Sequence, residues 1–198
     1  MRFNHPFTPT EKRLIRHLKT PAQVQKFIIS HFRYNKESRG ETLRSFRQSL
    51  KHQSAHCLEA VFIAATILGE HGYPPTVLDI TSKDHLDHVL FLYKKNGRYG
   101  TIGFSRCTGL YGRPARYRSL YHLVMSYYTP FIDKTGRITG YGTASLDDIP
   151  RTDWRFAKGN IWAVQNYLIK LRHKRIHTST AHFKRLRAKY LASLPEQK

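Results

Sequence analysis

The sequence predicts an α+β fold in which a buried helix is followed by antiparallel strands. Residues 55–71 place apolar side chains at helical spacing on nearly all sides, which indicates a central helix. After Gly72 the apolar period changes to that of strands, and no helical pattern separates the three strand segments that follow. A doubly wound parallel sheet, which needs alternating strands and helices, is therefore excluded.

The helices before this core are predicted from caps and apolar spacing. Thr20, Pro21 and Gln23 form the pattern of a capping box with proline at the first helical position. They predict a helix of roughly three turns. Shorter helices are predicted around residues 14–18 and 42–50.

The strand segments and later elements follow from the same rules. The strands are predicted at 76–81, 88–93 and 99–105, and the Asn96-Gly97 pair predicts a hairpin turn between the last two. We expect a long loop rich in Gly, Arg and Tyr over 106–118 and irregular chain around Gly140-Tyr141-Gly142. Helices are predicted over 119–128, over 160–171 and in the last twenty residues.

Composition narrows the class of protein. The chain has 198 residues and is 40% hydrophobic, which is enough apolar material to bury a core and excludes wholesale disorder. No apolar run approaches the ~20 residues of a membrane-spanning helix, and the N-terminus lacks the pattern of a secretory signal. With two cysteines a disulfide scaffold is excluded, and we expect two reduced thiols in a cytoplasmic protein.

We expect one domain over residues 1–177 and a basic helical tail over 178–198, since no repeat or low-complexity linker divides the chain. The domain comprises a helical part at 1–52, a core at 53–105 that holds Cys57 and His88, and a basic loop with helices at 106–177.

The net charge of +21 is concentrated in two segments without acidic residues. The first lies between Asp87 and Asp133, and its basic residues come directly after the predicted strand that begins at His88. Its positive charge near the candidate site favours an anionic substrate or partner. Its candidate anion-binding residues are Arg98, Arg106, Arg113 and Arg116. The second precedes Glu196 and suits phosphate backbones or anionic lipids, so nucleic acid is a candidate partner of the tail. A solvated charged helix without any partner explains the second segment equally well.

Cys57 lies in the first turn of the long helix and is the candidate nucleophile. We expect Ser54 to cap this helix, whose free N–H groups and dipole favour a thiolate at Cys57. The backbone N–H of Cys57 and the side chain of Gln53 are candidate donors to an oxyanion. Glu59, also in the first turns, either neighbours the site or only stabilises the helix dipole. His88, at the start of a strand, is the candidate general base.

A wider pattern joins these residues. His56-Cys57-Leu58-Glu59-Ala60 opens the long apolar helix, Asp87-His88-Val89 opens a strand, and a hairpin leads into Tyr99-Gly100-Thr101. Over about Gln53 to Ser105 this pattern resembles the transglutaminase-like superfamily of papain-type cysteine enzymes. The resemblance implies a papain-like fold with Cys57 as nucleophile and His88 as base.

The resemblance also implies a third catalytic group that orients the histidine, an Asp in that family. Its position falls near Gly103 or Ser105, so Ser105 is the candidate here. An acid from a distant segment, such as Asp79, Asp133 or Asp147, is the other source.

Two functions stay open. One is cysteine-dependent hydrolysis or acyl transfer on an amide or ester of a protein or peptide, by a peptidase, amidase, deamidase or transglutaminase-like enzyme. The other is a catalytically inactive module of the same fold that binds nucleic acid or another polyanion. A third possibility is a zinc site, since Asp84, His85, Asp87, His88 and Cys57 include acceptable ligands, but no known metal-site spacing is present, so we expect neither a metal nor a cofactor.

Overall fold

The computed structural model describes residues 7–38 and 40–194. Its helices are α1 (Pro9–His17), α2 (Pro21–His31), α3 (Phe46–His52), α4 (Cys57–Gly69), α5 (Leu120–Met125), α6 (Trp162–Ile169) and α7 (Thr180–Ala192). Its strands are β1 (Arg33–Tyr34), β2 (Ser54–Ala55), β3 (Thr76–Ser82), β4 (His88–Lys95), β5 (Arg98–Ile102), β6 (Ile138–Ser145) and β7 (Lys174–Arg175). The chain is thus α+β, as its sequence predicts.

A five-stranded antiparallel sheet with the strand order β5-β4-β3-β6-β7 forms the centre of the fold. Helix α4 packs on one face of it, against Val89 and Phe91, and is buried from Leu58 to Leu68 as predicted for a central helix. Leu90 faces the opposite side, where α5 and the residues after it complete a second core. The alternation of strand side chains therefore turns the face of His88 and Leu90 away from the body of α4.

Strand β6 corrects the expectation of an irregular stretch around Gly140-Tyr141-Gly142. Gly142 pairs with Asp79 of β3 in regular register. A Cβ added at Gly140 would lie 3.0 Å from the carbonyl oxygen of Lys174, and one at Gly142 would lie 2.8 Å from the side chain of Leu171. The glycines therefore allow the segment before and within β7 to pass close to the sheet, rather than interrupting a strand.

The start of α4 also differs from the prediction. Ser54 does not cap the helix, because Ser54 and Ala55 form β2, which pairs in parallel with β1. The N-cap is His56, whose Nδ1 accepts a hydrogen bond from the N–H of Leu58 at 3.2 Å. Cys57 is consequently the first helical residue, a position with a free backbone N–H.

Helix α2 begins with the predicted capping box, in which Thr20 Oγ1 accepts from the N–H of Gln23 and Gln23 Oε1 accepts from the N–H of Thr20. Its Val24 and Ile28 are fully buried in the core that contains α4. The position of α2 brings Gln25 to the loop that follows β5.

Helix α7 forms within the segment predicted as a basic helical tail. Its Phe183 and Leu186 pack on the second core, and the guanidinium of Arg137 lies over the ring of Phe183. The last predicted tail residues, 195–198, and residues 1–6 of the predicted domain lie outside the described residues. The boundary between 177 and 178 stays a prediction. No helix in the described ranges is long and apolar enough to span a membrane.

Candidate active site

Cys57 is partly exposed at the N-terminus of α4. Burial raises the pKa of its thiol, but the neighbouring imidazoles of His56 and His88 outweigh burial and lower this pKa to about 5. A thiol with such a pKa is a thiolate at neutral pH, which is the nucleophilic form. The free N–H of Cys57 itself is available to a group that binds beside the sulfur.

His88 opens β4 and is 4% exposed. Its Nε2 lies 2.8 Å from the carbonyl oxygen of Leu110. Because a carbonyl oxygen only accepts, we assign the ring proton to Nε2, which leaves Nδ1 with its lone pair. Nδ1 is therefore the nitrogen that can exchange a proton with the thiol of Cys57.

The Leu110 carbonyl belongs to a loop that Gln25 of α2 holds in place. Gln25 Oε1 accepts from the N–H groups of Gly103 and Gly112 at 3.0 and 3.1 Å, and its Nε2 donates to the carbonyl of Gly103 at 2.9 Å. A Cβ at Gly112 would lie 2.1 Å from Gln25 Oε1, so this approach requires glycine. Gln25 is a positioning residue that the sequence analysis missed, since a lone glutamine on a helix carries no signal.

Ser105 lies in the same loop, but the orienting contact to His88 comes from the Leu110 carbonyl instead. Ser105 Oγ accepts a hydrogen bond from the N–H of Cys107 at 3.2 Å. The physical reason is that β5 ends at Ile102, so Ser105 is not a strand residue with a side chain set by the pleat. A catalytic role of Ser105 stays a prediction.

His56 flanks the same sulfur in a different way. Its Nδ1 accepts from the N–H of Leu58, and its Nε2 lies 2.9 Å from the carbonyl oxygen of Thr42, so both nitrogens are used in the neutral ring. Burial lowers the pKa of His56, but Cys57 and Glu59 outweigh it and raise this pKa to about 9. With that pKa the ring is protonated at neutral pH, where Nδ1 carries a proton and cannot accept from the N–H of Leu58, so His56 then offers the thiolate a positive charge and not a base.

Glu59 is fully buried and has a structural role at the start of α4. Its Oε1 accepts from the N–H of Arg44 at 2.7 Å and from Thr42 Oγ1 at 3.2 Å, and its Oε2 accepts from the N–H of His56 at 3.0 Å. These bonds tie the segment 42–44 to the helix cap. Gln53, the other sequence candidate, is exposed and ends α3 in the left-handed conformation.

Tyr34 of β1 is a neighbour of Cys57 that the sequence analysis missed. Burial raises the pKa of its phenol, and the negative charge of Cys57 raises it further, so Tyr34 stays protonated beside the thiolate. The guanidinium of Arg106 lies 5.9 Å from the centre of the Tyr34 ring. Tyr34 thus offers a hydroxyl donor, and its phenol is influenced by the charges of both Cys57 and Arg106.

The four predicted anion-binding arginines have different surroundings. Arg106 is exposed beside Tyr34, whereas Arg113 donates to the carbonyls of Tyr111 and Gly109 at 2.7 and 2.6 Å and holds the loop. Arg98 lies at the hairpin end of β5, paired with Lys95, and Arg116 is exposed beside Tyr117. Anion binding by these residues stays a prediction.

A cavity of about 670 Å³ opens beside Cys57. Its charged and titratable lining residues are Glu37, Glu41, Asp79, Asp87, His56, His85 and His173, and its apolar wall comes from α6 with Trp162, Leu168 and Ile169. Among the described residues that line it there is no Lys or Arg. The four predicted anion-binding arginines do not line this cavity.

Asp79 does not orient His88. It binds His173 instead, with Nε2 and Oδ2 3.0 Å apart. The two other acids that the sequence offered are also elsewhere: Asp133 caps the N–H groups of Thr135 and Gly136, and Asp147 is exposed.

The comparison with protein families decides the membership of the chain. A model of the vasohibin family matches residues 6–140, more than half of the chain. The chain belongs to the vasohibin family. The matched part of this vasohibin contains Cys57, His88 and Leu110 and ends within β6. Vasohibins have a transglutaminase-like, cysteine-protease-type fold, which agrees with the resemblance in residues 53–105.

No curated protein sequence matches this vasohibin significantly. Within residues 7–38 and 40–194, no group of three or more His, Cys, Asp and Glu side chains is arranged to hold a metal ion.

Proposed function

We propose that this vasohibin is a cysteine-dependent hydrolase or acyltransferase that acts on an amide or ester carbonyl of a protein or peptide. The hydrogen bond between His88 and the Leu110 carbonyl supports the proposal best, because it leaves Nδ1 as the base that can take the proton of the Cys57 thiol. The lowered pKa of Cys57 supports the same reading.

In the first step Nδ1 of His88 takes the proton of the Cys57 thiol, and the resulting thiolate attacks the carbonyl carbon while the electron pair of the C=O bond moves to the oxygen. The backbone N–H of Cys57 and the hydroxyl of Tyr34 are the proposed donors to this oxyanion, with Gln53 as the donor expected from sequence. The adduct then collapses, and His88 protonates the leaving amine or alcohol through Nδ1. An acyl group remains on the sulfur.

In the second step His88 removes a proton from water or an amine, which attacks the acyl carbon and releases the thiolate. The Leu110 carbonyl keeps the ring oriented during both transfers, as a carboxylate does in related sites, but with only the partial charge of an amide. Arg106 is the proposed contact for an anionic group of the substrate, since its guanidinium is exposed beside Tyr34.

The alternative of an inactive module depended on the missing acid. The Leu110 carbonyl supplies an orienting group without an acidic side chain, so the absence of an acid does not argue against activity. Polyanion binding stays a separate proposal for α7, which exposes Lys184, Arg185 and Lys189. A binding constant for RNA or DNA that does not fall with added salt would contradict it.

Acyl-enzyme formation with p-nitrophenyl acetate tests the enzyme proposal. We expect a burst of p-nitrophenolate at neutral pH and an acetyl group on Cys57, located by peptide mass spectrometry. The burst should vanish in Cys57→Ser and persist in Cys107→Ser, the matched control. Acetylation of Cys57 no faster than that of Cys107, and unchanged by His88→Ala, would overturn the proposal.

A further inference from the structure

The cavity beside Cys57 has a charge opposite to that of the whole protein. The chain has 34 Lys and Arg but 13 Asp and Glu. Four of those acidic residues nevertheless line this one cavity, and no Lys or Arg is among its described lining residues. The composition of the chain therefore does not explain the lining.

The backbone holds two of these carboxylates in position. Glu37 Oε1 accepts from the N–H of Thr42, and Asp87 Oδ1 accepts from the N–H of Ser82, each at 2.8 Å. Each carboxylate keeps a second oxygen and its negative charge. Glu41 is exposed at the rim.

Asp79 adds an independent observation that points to a ligand. It is only 4% exposed, its Oδ2 binds His173, and its buried Oδ1 has no hydrogen-bond partner among the described residues. A buried carboxylate oxygen without a donor costs free energy. The oxygen has almost no exposed surface of its own, but Asp79 lines the cavity, so a rotation of its carboxylate would present the oxygen to a donor bound there.

The apolar residues that line the same cavity suit the stem of a long basic side chain. Trp162 and Ile169 of α6 line the cavity and are 36% and 71% exposed. The face of an indole attracts cations, and the methylenes of Lys and Arg pack on apolar surfaces while their charged ends reach polar groups. The lining of the cavity thus includes both apolar side chains and carboxylates.

We propose that this cavity is a specificity subsite that binds a basic side chain, Lys or Arg, of the peptide substrate of Cys57. The ammonium or guanidinium donates to Asp79 Oδ1, and Asp87 and Glu41 add attraction at the mouth. The identity of the ligand as part of a substrate rests on the proposed function; binding itself does not. This subsite selects a charge opposite to the one that Arg106 attracts.

Binding of Nα-acetyl-argininamide to the Cys57→Ala protein tests the subsite without any turnover. In protein with ¹⁵N-labelled tryptophan, we expect the indole N–H signal of Trp162 to shift saturably while that of buried Trp154 stays. Nα-acetyl-citrullinamide, which is neutral and of the same shape, should bind at least about tenfold more weakly. Equal binding of both compounds would overturn the proposal.

Two substitutions locate the interaction. Asp79→Asn should weaken arginine binding by at least about tenfold, whereas Asp148→Asn, the same change at an exposed position outside the cavity, should not. Glu41→Lys combined with Asp87→Lys should reverse the preference toward Nα-acetyl-glutamic acid amide. Unchanged citrulline binding shows that the cavity of Asp79→Asn is intact. Equal arginine affinity in Asp79→Asn and Asp148→Asn would contradict the subsite.

The two proposals fail separately. If Cys57 is not acetylated by the ester but arginine binds at Trp162, the proposed enzyme function is wrong and the cation subsite is supported. If Cys57 is acetylated in a manner that depends on His88 but arginine does not bind, the subsite is wrong and the enzyme function is supported.

Discussion

Two imidazoles flank the sulfur of Cys57, and they are held in different ways. His88 has one hydrogen bond to a backbone carbonyl, which fixes its tautomer and leaves the other nitrogen free. His56 caps α4 and has a backbone partner at each nitrogen. Both lower the pKa of the thiol.

The difference separates two functions that are often assigned to one histidine. Any cationic or donor group near the sulfur favours the thiolate, but a general base needs a free lone pair on a nitrogen that can reach the thiol. We therefore propose that both rings lower the pKa of the thiol and that His88 alone transfers its proton. The predictions below test this division, beginning with the largest effect.

We expect His88→Ala to lower the rate of Cys57 acetylation by roughly 10²–10⁴-fold, the usual contribution of a general acid–base group. His56→Asn, which keeps a side-chain acceptor for the N–H of Leu58, should lower it by less than about tenfold. The rate of p-nitrophenolate release measures both. Equal losses in the two variants would show that the histidines are not divided in this way.

The pH dependence of Cys57 alkylation by iodoacetamide sharpens the comparison. In a Cys107→Ser background, the rate should stay high down to a midpoint near pH 5, because the folded protein keeps the thiolate to that pH. Replacing His88 with Ala should move the midpoint toward the ordinary thiol value of ~8.5, which reduces the rate at pH 6.5 by up to ~100-fold. A wild-type midpoint near the ordinary value contradicts activation by either ring.

Gly103→Ala should disturb the surroundings of His88 and leave those of His56 intact. The added Cβ would lie 2.2 Å from Leu90 Cδ2, 3.3 Å from the Leu110 oxygen and 3.5 Å from His88 Nε2. We expect a loss of about 1–3 kcal/mol in the free energy of unfolding, together with slower acetylation. Gly159→Ala is the control, since no atom lies within 4 Å of its added Cβ. A free energy that is equal in the two variants would be evidence against this packing.

The smallest effect is that of the helix cap. His56→Ala should lower the free energy of unfolding by about 1 kcal/mol, because the N–H of Leu58 loses its acceptor, and His56→Asn should restore most of it. Urea denaturation above pH 9, where the ring of His56 is neutral and Nδ1 can accept, measures both values. If Asn does not improve on Ala, the N-cap role assigned to His56 is wrong.

The sequence predicts the elements that position the nucleophile and the base. The apolar spacing predicts a helix over 55–71, which includes the whole of α4 and two further residues at each end. The change of period after Gly72 predicts β3 and β4. These signals come from the side chains themselves. The catalytic pairing of Cys57 with His88 stays a prediction that the resemblance made and the acetylation experiment tests.

Features that depend on the backbone or on distant contacts could not be predicted. The group that orients His88 is the backbone carbonyl of Leu110. Every residue has a backbone carbonyl, so no sequence pattern marks this one. The pair Asp79 and His173 is separated by 94 positions. A rule based on local sequence interprets the glycines of β6 as irregular chain. They are instead explained by the close approach of Leu171 and Lys174, which are distant in sequence.

The two walls of the cavity have separate origins in the chain. Asp79 and Cys57 lie within the part that matches the vasohibin family, whereas Trp162 and His173 come after its end at residue 140. The apolar side of the proposed subsite thus comes from a later part of the chain than the thiol and the carboxylates. Exchange of the segment 160–175 between family members would change that side of the cavity while Cys57 and Asp79 stay in place.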